Sequence, residues 1–265
     1  MISKIGVGII TCNRKNFFDN CLQSIPNYID ELIVVNDGDD FDTAEYQRCD
    51  IFVHKTPGKT QVGNCKNIAM KHLLDKGCDY IFTLEDDIII RDPDTFKKYI
   101  YTSNETGIEH FNFGFSQKEN LDSNLKPVFK KIIEYKNSKI VLTPNILGAF
   151  TFYTRNCLQH IGLHHRKFNK GHGDHPELTY RAFKHGFTTP FWWFADIYGS
   201  WDMIENQSNM GDDSLVRNQE KFWDNFKEAC SVFNELHGYD MLKVPMTSEE
   251  NVIKILKQLK KNNEK

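Results

Sequence analysis

The chain opens with the apolar run IGVGII, breaks into polar residues over 11–14, and continues as KNFFDNCLQSI with apolar positions at helical spacing. ELIVVN, DIFVH and DYIFTL then read as strands, and VGNCKNIAMKHLLDKG reads as a helix between the last two. In that helix Val62, Cys65, Ala69 and Leu73 recur every three or four residues, and Gly77 supplies the stop. Strands separated by such helices predict an α/β fold whose mainly parallel central sheet is flanked by helices, with ligands at the carboxyl ends of the strands.

The second half is more mixed. HFNFGF, SKIVLT, ILGAFTFYTR and TPFWWFAD read as strands, and PELTYRAFKHG as a short helix ending at Gly186. A polar, aromatic-studded helix is expected from about Ser214 to Leu236. TSEENVIKILKQLKKNNEK opens with a capping box, Thr247 to Glu250, ahead of Val252, Ile255, Leu256 and Leu259. The expected organisation is one domain over 1–240, with a C-terminal amphipathic helix and lysine-rich tail over 241–265 packed on it.

Composition narrows the classes. A chain of 265 residues, 40% hydrophobic and with a net charge of −3, is long enough for a substantial core. It is neither a disordered chain nor a uniformly basic nucleic-acid binder. Any basic surface is local, as in KPVFKKIIEYKNSK and HHRKFNKGH. The first apolar stretch is too short for a secretory core, and no later one approaches bilayer length, so a soluble, cytoplasmic protein without a membrane span is expected. The 7 cysteines, Cys12, Cys21, Cys49, Cys65, Cys78, Cys157 and Cys230, are odd in number and lack paired short spacing, which points to reduced thiols.

The chemistry concentrates where DYIFTL ends in Glu85, Asp86 and Asp87. On an extended chain Glu85 and Asp87 project to one side and Asp86 to the other, so two carboxylates converge. At about 4 Å they repel by roughly 4 kcal/mol at an effective dielectric of 20, and a cation between them relieves this. An oxygen-only set favours Mg²⁺ or Mn²⁺ over a structural zinc. The bland alternative is a solvated acidic turn ahead of Asp92 and Pro93.

Four blocks in order, IGVGIITCNR, LIVVNDG, GNCKN and FTLEDD, resemble the family 2-like glycosyltransferases of the GT-A fold. A fifth, GHGDHPELTYRAFKHG, looks like the acidic helix start that carries their catalytic base. The resemblance implies a nucleotide-sugar donor, with Thr11, Asn13 and Arg14 beside the nucleotide and Asp37 on uracil. It further implies Lys66 near the base or ribose, Glu85 beside the donor, Asp86 on the ribose or metal, and Asp87 on the metal, which would be Mn²⁺ or Mg²⁺. Asp174 is the candidate base, with Glu177 and His175 as alternatives and a helix cap as its plain structural role. Asp196 falls where the resembling enzymes often place a further metal ligand, usually His. Cys12 and Lys66 stand where the family usually has an aromatic ring and Arg. A carboxylate at a strand end, such as Asp37, accepts the imide N–H of uracil, which favours UDP-linked donors; a turn-forming Asp before Gly38 is the alternative.

The expected activity is therefore metal-dependent, inverting transfer of a sugar to a hydroxyl of a glycan, a lipid-linked precursor, a protein or a modified DNA base. Nucleic acid enters only as an acceptor. A non-catalytic nucleotide-sugar or nucleic-acid-associated module is the second reading. A zinc hydrolase is the third, using the histidines between His160 and His185 with His160 and His164 one helical turn apart. The opening GIITCNRKN is not the Gly-rich basic loop of sugar nucleotidyltransferases. In FWWFADIYGSWDM most of the aromatic rings read as core, and Trp193 or Trp201 are the candidates for stacking on a sugar ring.

Overall fold

The computed structural model describes residues 3–39, 51–57, 60–168, 171–208 and 220–263. Cys49, Lys170 and the expected helix start at Ser214 lie outside these residues. The first half runs β1 (Ile5–Thr11), α1 (Lys15–Ser24), β2 (Glu31–Asn36), β3 (Ile51–Lys55), α2 (Val62–Asp75), β4 (Tyr80–Glu85), β5 (Ile88–Ile90) and α3 (Thr95–Thr106). Then come β6 (His110–Asn112), β7 (Lys131–Glu134), β8 (Lys139–Thr143), β9 (Phe150–Thr154), α4 (Arg155–Ile161) and α5 (Asp174–Lys184). The chain closes with β10 (Phe194–Ile197), α6 (Ser200–Met203), β11 (Ile204–Asn206), α7 (Phe222–His237) and α8 (Glu249–Asn263).

The central sheet has the order β3-β2-β1-β4-β9-β6. β1, β2, β3 and β4 are parallel, and β9 runs against both of its neighbours. Side-chain alternation divides its apolar runs between two cores. Ile9, Leu32, Val34, Phe82 and Leu84 meet residues of α1, α3 and α8 on one face. Ile10, Ile33, Val35 and Ile81 meet Cys65, Ala69 and Leu73 of α2 on the other. Burial on both faces is why these strands read as near-continuous apolar runs. The parallel register brings the ends of β1, β2 and β4 to one edge, pairing Thr11 with Asn36 and Ile10 with Glu85.

A second sheet, β10-β8-β7, and the antiparallel pair β5 and β11 extend the fold beyond that edge. A third core, including Tyr180, Phe191, Ala229, Phe233 and Met241, joins α5 to α7. α8 adds Val252, Leu256 and Leu259 to the first core. Its cap falls on Ser248, not Thr247: the Asn251 N–H donates to Ser248 Oγ at 3.4 Å, and the helix starts at Glu249. TPFWWFAD becomes a strand only from Phe194, because the Trp193 N–H closes a turn on the Pro190 carbonyl at 2.9 Å and Trp192 takes φ 71°. β7 lies inside the basic stretch KPVFKKIIEYKNSK, where lysines hide a short strand. Among the described residues no helix is long and apolar enough to cross a membrane.

Candidate active site

The site is built on the carboxyl edge of β1, β2 and β4. Thr11 Oγ1, at the end of β1, donates to Asp86 Oδ2 at 2.8 Å. Arg14, the residue before α1, splits its guanidinium between Asp86 Oδ1 and, at 3.3 Å, Asp87 Oδ2. Glu85 takes a different cation: Lys66 Nζ of α2 donates to Glu85 Oε1 and to the Gly148 carbonyl, each at 2.8 Å.

The expected pairing of Glu85 with Asp87 thus gives way to Asp86 and Asp87 sharing Arg14. The reason is local: β4 stops at Glu85, the chain turns at 86–87, and strand alternation ends with the strand. The Gln207 N–H holds that turn by donating to the Asp87 carbonyl at 2.7 Å. Burial, then the neighbouring Glu85 charge, pushes the Asp87 carboxyl up to about 6. Burial also pushes Asp86 up, against the pull of Arg14. Burial acts the same way on Glu85, but Lys66 outweighs it and holds that carboxyl below its ordinary value.

The loops after β1 and β2 are laced together beside this turn. Asn13 sits at φ 54° and its Oδ1 accepts the Asp39 N–H at 2.6 Å. Asp37 Oδ1 accepts from the Thr56 hydroxyl and, at 2.8 Å, from the Thr60 N–H; Oδ2 accepts the Gln61 N–H at 2.9 Å. Asp37 therefore ties β2 to the segment entering α2, a role beyond a local turn. Thr11, Arg14, Asp86 and Asp87 are joined directly, the Asp37 N–H reaches them by donating to the Thr11 carbonyl at 2.9 Å, and Asn13 is tied to the loop after β2 through Asp39. Lys66 stands apart from Asp37, with its amine between Glu85 and Asp174, whose negative charges both favour its ammonium form against full burial.

Beyond Lys66 opens a cavity of about 410 Å³ whose wall includes Glu85, Asn145, His172, Asp174, Trp192 and Phe226. Asp174 is the first residue of α5, and the N-cap is Gly173, so Asp174 caps nothing. Two glycines make room around it. A Cβ on Gly63 would meet the Phe168 carbonyl at 3.0 Å and Asp174 Cβ at 3.3 Å, and one on Gly148 would strike the His175 ring at 2.7 Å. Asp174 is 1% exposed, yet among the described residues neither carboxylate oxygen has a hydrogen-bond partner. His175 Nδ1 lies 3.4 Å from Oδ1, beyond the usual range of a hydrogen bond. Burial raises the Asp174 carboxyl, but His175, Lys66 and His164 together hold it far below the usual range, and the helix N-terminus favours the same ionised form.

Glu177, one turn on, is in the opposite condition. Arg181 grips it through Nε–H and Nη2–H at 2.7 and 2.8 Å, and His237 Nε2 is 3.1 Å away, so it is held outside the cavity wall. The structure also separates Asp196 from the acidic turn. Its carboxylate accepts from the Tyr99 hydroxyl, the Gly114 N–H, the Ser200 hydroxyl and its neighbour's Ile197 N–H, within the first core. Trp193 donates to the Thr247 carbonyl, and Trp201 packs on Phe115 and Phe129; Trp192 is the tryptophan that reaches the cavity, because the turn before β10 shifts the facing residue by one. Sequence reasoning missed Trp192 and Gly148 for this reason: neither a positive-φ turn nor a distant carbonyl leaves a periodic signal.

The histidines scatter. His160 is exposed at the end of α4, His164 is buried beyond it with Nδ1 3.1 Å from the Asp174 carbonyl, and His185 is exposed after α5. Among the described residues no three His, Cys, Asp or Glu side chains converge as a metal-ligand set, at the histidines or at the acidic turn, so the histidines supply zinc with no ligand set there. The acidic turn offers a divalent cation one atom: Asp87 Oδ1 is buried and, among the described residues, without a hydrogen-bond partner. One or two carboxylates with substrate phosphates completing the shell is how Mg²⁺-type ions are commonly held.

No family model matches the sequence, and neither does any curated protein. Solved structures do match. S. aureus TarS superposes with a TM-score of 0.58 at 14% identity, covering 97% of this chain and 42% of that one. The 1–349 segment of S. aureus TarS in complex with UDP-GlcNAc gives 0.56 at 14% identity, covering 97% of this chain and 71% of that one. GalNAc-T7 with UDP, GalNAc and Mn²⁺ gives 0.58 at 11% identity, covering 97% and 54%. The chain has the GT-A fold. It spans less than half of the TarS chain and about half of the GalNAc-T7 chain, and at these identities the likeness is one of fold.

Proposed function

We propose that the protein is an inverting glycosyltransferase that takes a UDP-sugar with Mn²⁺ or Mg²⁺ and delivers the sugar to an acceptor hydroxyl at Asp174. The observation that carries this reading is one cavity with two unlike acidic walls. On one side Glu85 leads into a turn whose carboxylates are matched to cations; on the other stands an ionised carboxylate with no hydrogen-bond partner. The UDP-GlcNAc and the UDP with Mn²⁺ held by two structures of the same fold support the choice of donor and metal.

A divalent cation supplies positive charge to the departing diphosphate when bound. Asp87 Oδ1 would hold it, with Asp86 alongside. Asp37 Oδ2 uses one lone pair on Gln61 and keeps another for the imide N–H of uracil. Asn13 and Thr11 fix the loop on which the nucleotide rests, and Lys66 adds fixed positive charge at the sugar end. Asp174 takes the acceptor's proton as the new bond closes on the anomeric carbon from the face opposite the diphosphate.

The test is release and transfer of sugar from UDP-sugars with Mn²⁺ present. Asp87→Ala should abolish metal-dependent turnover while circular dichroism shows the fold intact. Turnover unchanged by EDTA would overturn the metal-dependent reading, and tight UDP-sugar binding with no turnover in any acceptor mixture would make the protein a binding module.

A further inference from the structure

Arg14 holds the acidic turn in an unusual way. A guanidinium fork commonly makes two parallel bonds to one carboxylate. Here Nη2 meets Asp86 and Nη1 meets Asp87, while Arg14 Nε and Asp87 Oδ1 are both buried and, among the described residues, have no hydrogen-bond partner. The cation is thus in place but its hydrogen bonding is incomplete. We propose that Arg14 is a built-in counter-ion that occupies the cation position of the acidic turn in the free protein and yields it to a divalent ion arriving with a nucleoside diphosphate. Metal and nucleotide then bind as one coupled event. The inference rests on the metal-dependent reading above and adds its order.

The charges set that order. Among the described residues the cations paired with Glu85, Asp86 and Asp87 are Lys66 and Arg14, which leaves a single net negative charge in that set to draw in a strongly hydrated ion. An ion arriving alone must therefore displace Arg14 from both carboxylates with no anion of its own to offer in exchange. A diphosphate changes this, because its oxygens match the guanidinium fork better than two divided carboxylates do. Lys66 cannot take the same part, being 1% exposed and fixed by the Gly148 carbonyl. Arg14 can move. Its side chain is 18% exposed, its backbone at φ −121° and ψ 55° lies outside α1, and the Phe17 ring at 5.3 Å gives the guanidinium a face to slide across.

Electron paramagnetic resonance of free Mn²⁺ tests this directly, with wild type, Arg14→Gln and Arg14→Lys titrated with and without UDP, each UDP titration being corrected by a protein-free blank because UDP itself binds Mn²⁺. Wild type should bind Mn²⁺ weakly alone and at least about tenfold more tightly with UDP. Arg14→Gln should bind Mn²⁺ alone at least about tenfold more tightly than wild type and lose most of the UDP enhancement. A remote loss of charge would raise affinity and leave that enhancement intact. Arg14→Lys, whose compact ammonium reaches one carboxylate, should fall between and serves if the Gln variant fails to fold. Equal Mn²⁺ affinity with and without UDP in wild type, or an undiminished UDP enhancement in folded variants, overturns the proposal. Absence of Mn²⁺ binding by wild type even with UDP overturns the metal-dependent function itself.

Discussion

Asp174 and Asp196 are buried carboxylates of the same type, 1% and 0% exposed, in opposite conditions. Asp196 accepts four hydrogen bonds from three segments of the chain; Asp174 accepts none. Burial pushes the Asp196 carboxyl up to about 6, whereas the neighbouring His175 and Lys66 hold the Asp174 carboxyl below its ordinary range despite its burial. Buried polar groups that serve folding are generally satisfied, and an unsatisfied one calls for a ligand or a chemical role. Two carboxylates of equal burial thus differ in the state of their lone pairs, and the proposed role of Asp174 rests on that difference.

The comparison breaks first at Asp174. Asp174→Asn keeps the side chain's shape and removes its charge, so transfer should slow by about 10² to 10⁴ while UDP and Mn²⁺ bind as in wild type. Glu177→Gln weakens the grip of Arg181 and His237, and should lower the melting temperature with little change in rate. Kinetics and calorimetry on the pair decide it. Near-normal transfer by Asp174→Asn with collapse in Glu177→Gln would move the base one helical turn along α5.

Asp196 should show the reverse. Asp196→Asn puts an amide NH₂ where an oxygen accepted hydrogen bonds, and such a mismatch in the core costs about 1 to 3 kcal/mol. Urea denaturation should show that loss, and the Mn²⁺ dependence of turnover should not move. A shifted metal requirement with unchanged stability would return Asp196 to the site.

The two regions also differ in how far they could be read from the sequence. Strands buried on both faces announce themselves as apolar runs, so β1, β2 and β4 and the edge they share followed from pattern alone. The blocks at that edge named Thr11, Arg14, Asp86 and Asp87, and these four side chains do meet there. What was not legible was pairing across distance. Lys66 and Glu85 are 19 residues apart, Tyr99 and Asp196 are 97 apart, and no periodicity links them. Direction was equally hidden wherever a turn interrupts a strand. The turn at 86–87 moved Asp87 from Glu85 to Arg14, and the turn at Trp192 put that ring, not Trp193, into the cavity.

The smallest effect sharpens the contrast within the acidic turn itself. Asp87 holds its proton up to about 6 because burial and the Glu85 charge oppose ionisation. A carboxyl raised above its unfolded value stabilises the fold at low pH and loses that contribution as pH rises through about 6, whereas a metal at this carboxylate requires the proton to leave. Metal affinity should therefore climb as stability from this group declines. With a UDP-sugar, whose phosphates are both esterified and carry no proton near this range, Mn²⁺ affinity should rise by up to about tenfold per pH unit below 6 and level off above 7. Asp87→Asn should flatten the rise, and Asp196→Asn should leave it in place, although both carboxyls are pushed to about the same value. A Mn²⁺ titration from pH 5 to 8 separates them, because proton affinity alone cannot distinguish two such groups and access to a ligand can. A slope that survives in Asp87→Asn would place the titrating ligand elsewhere.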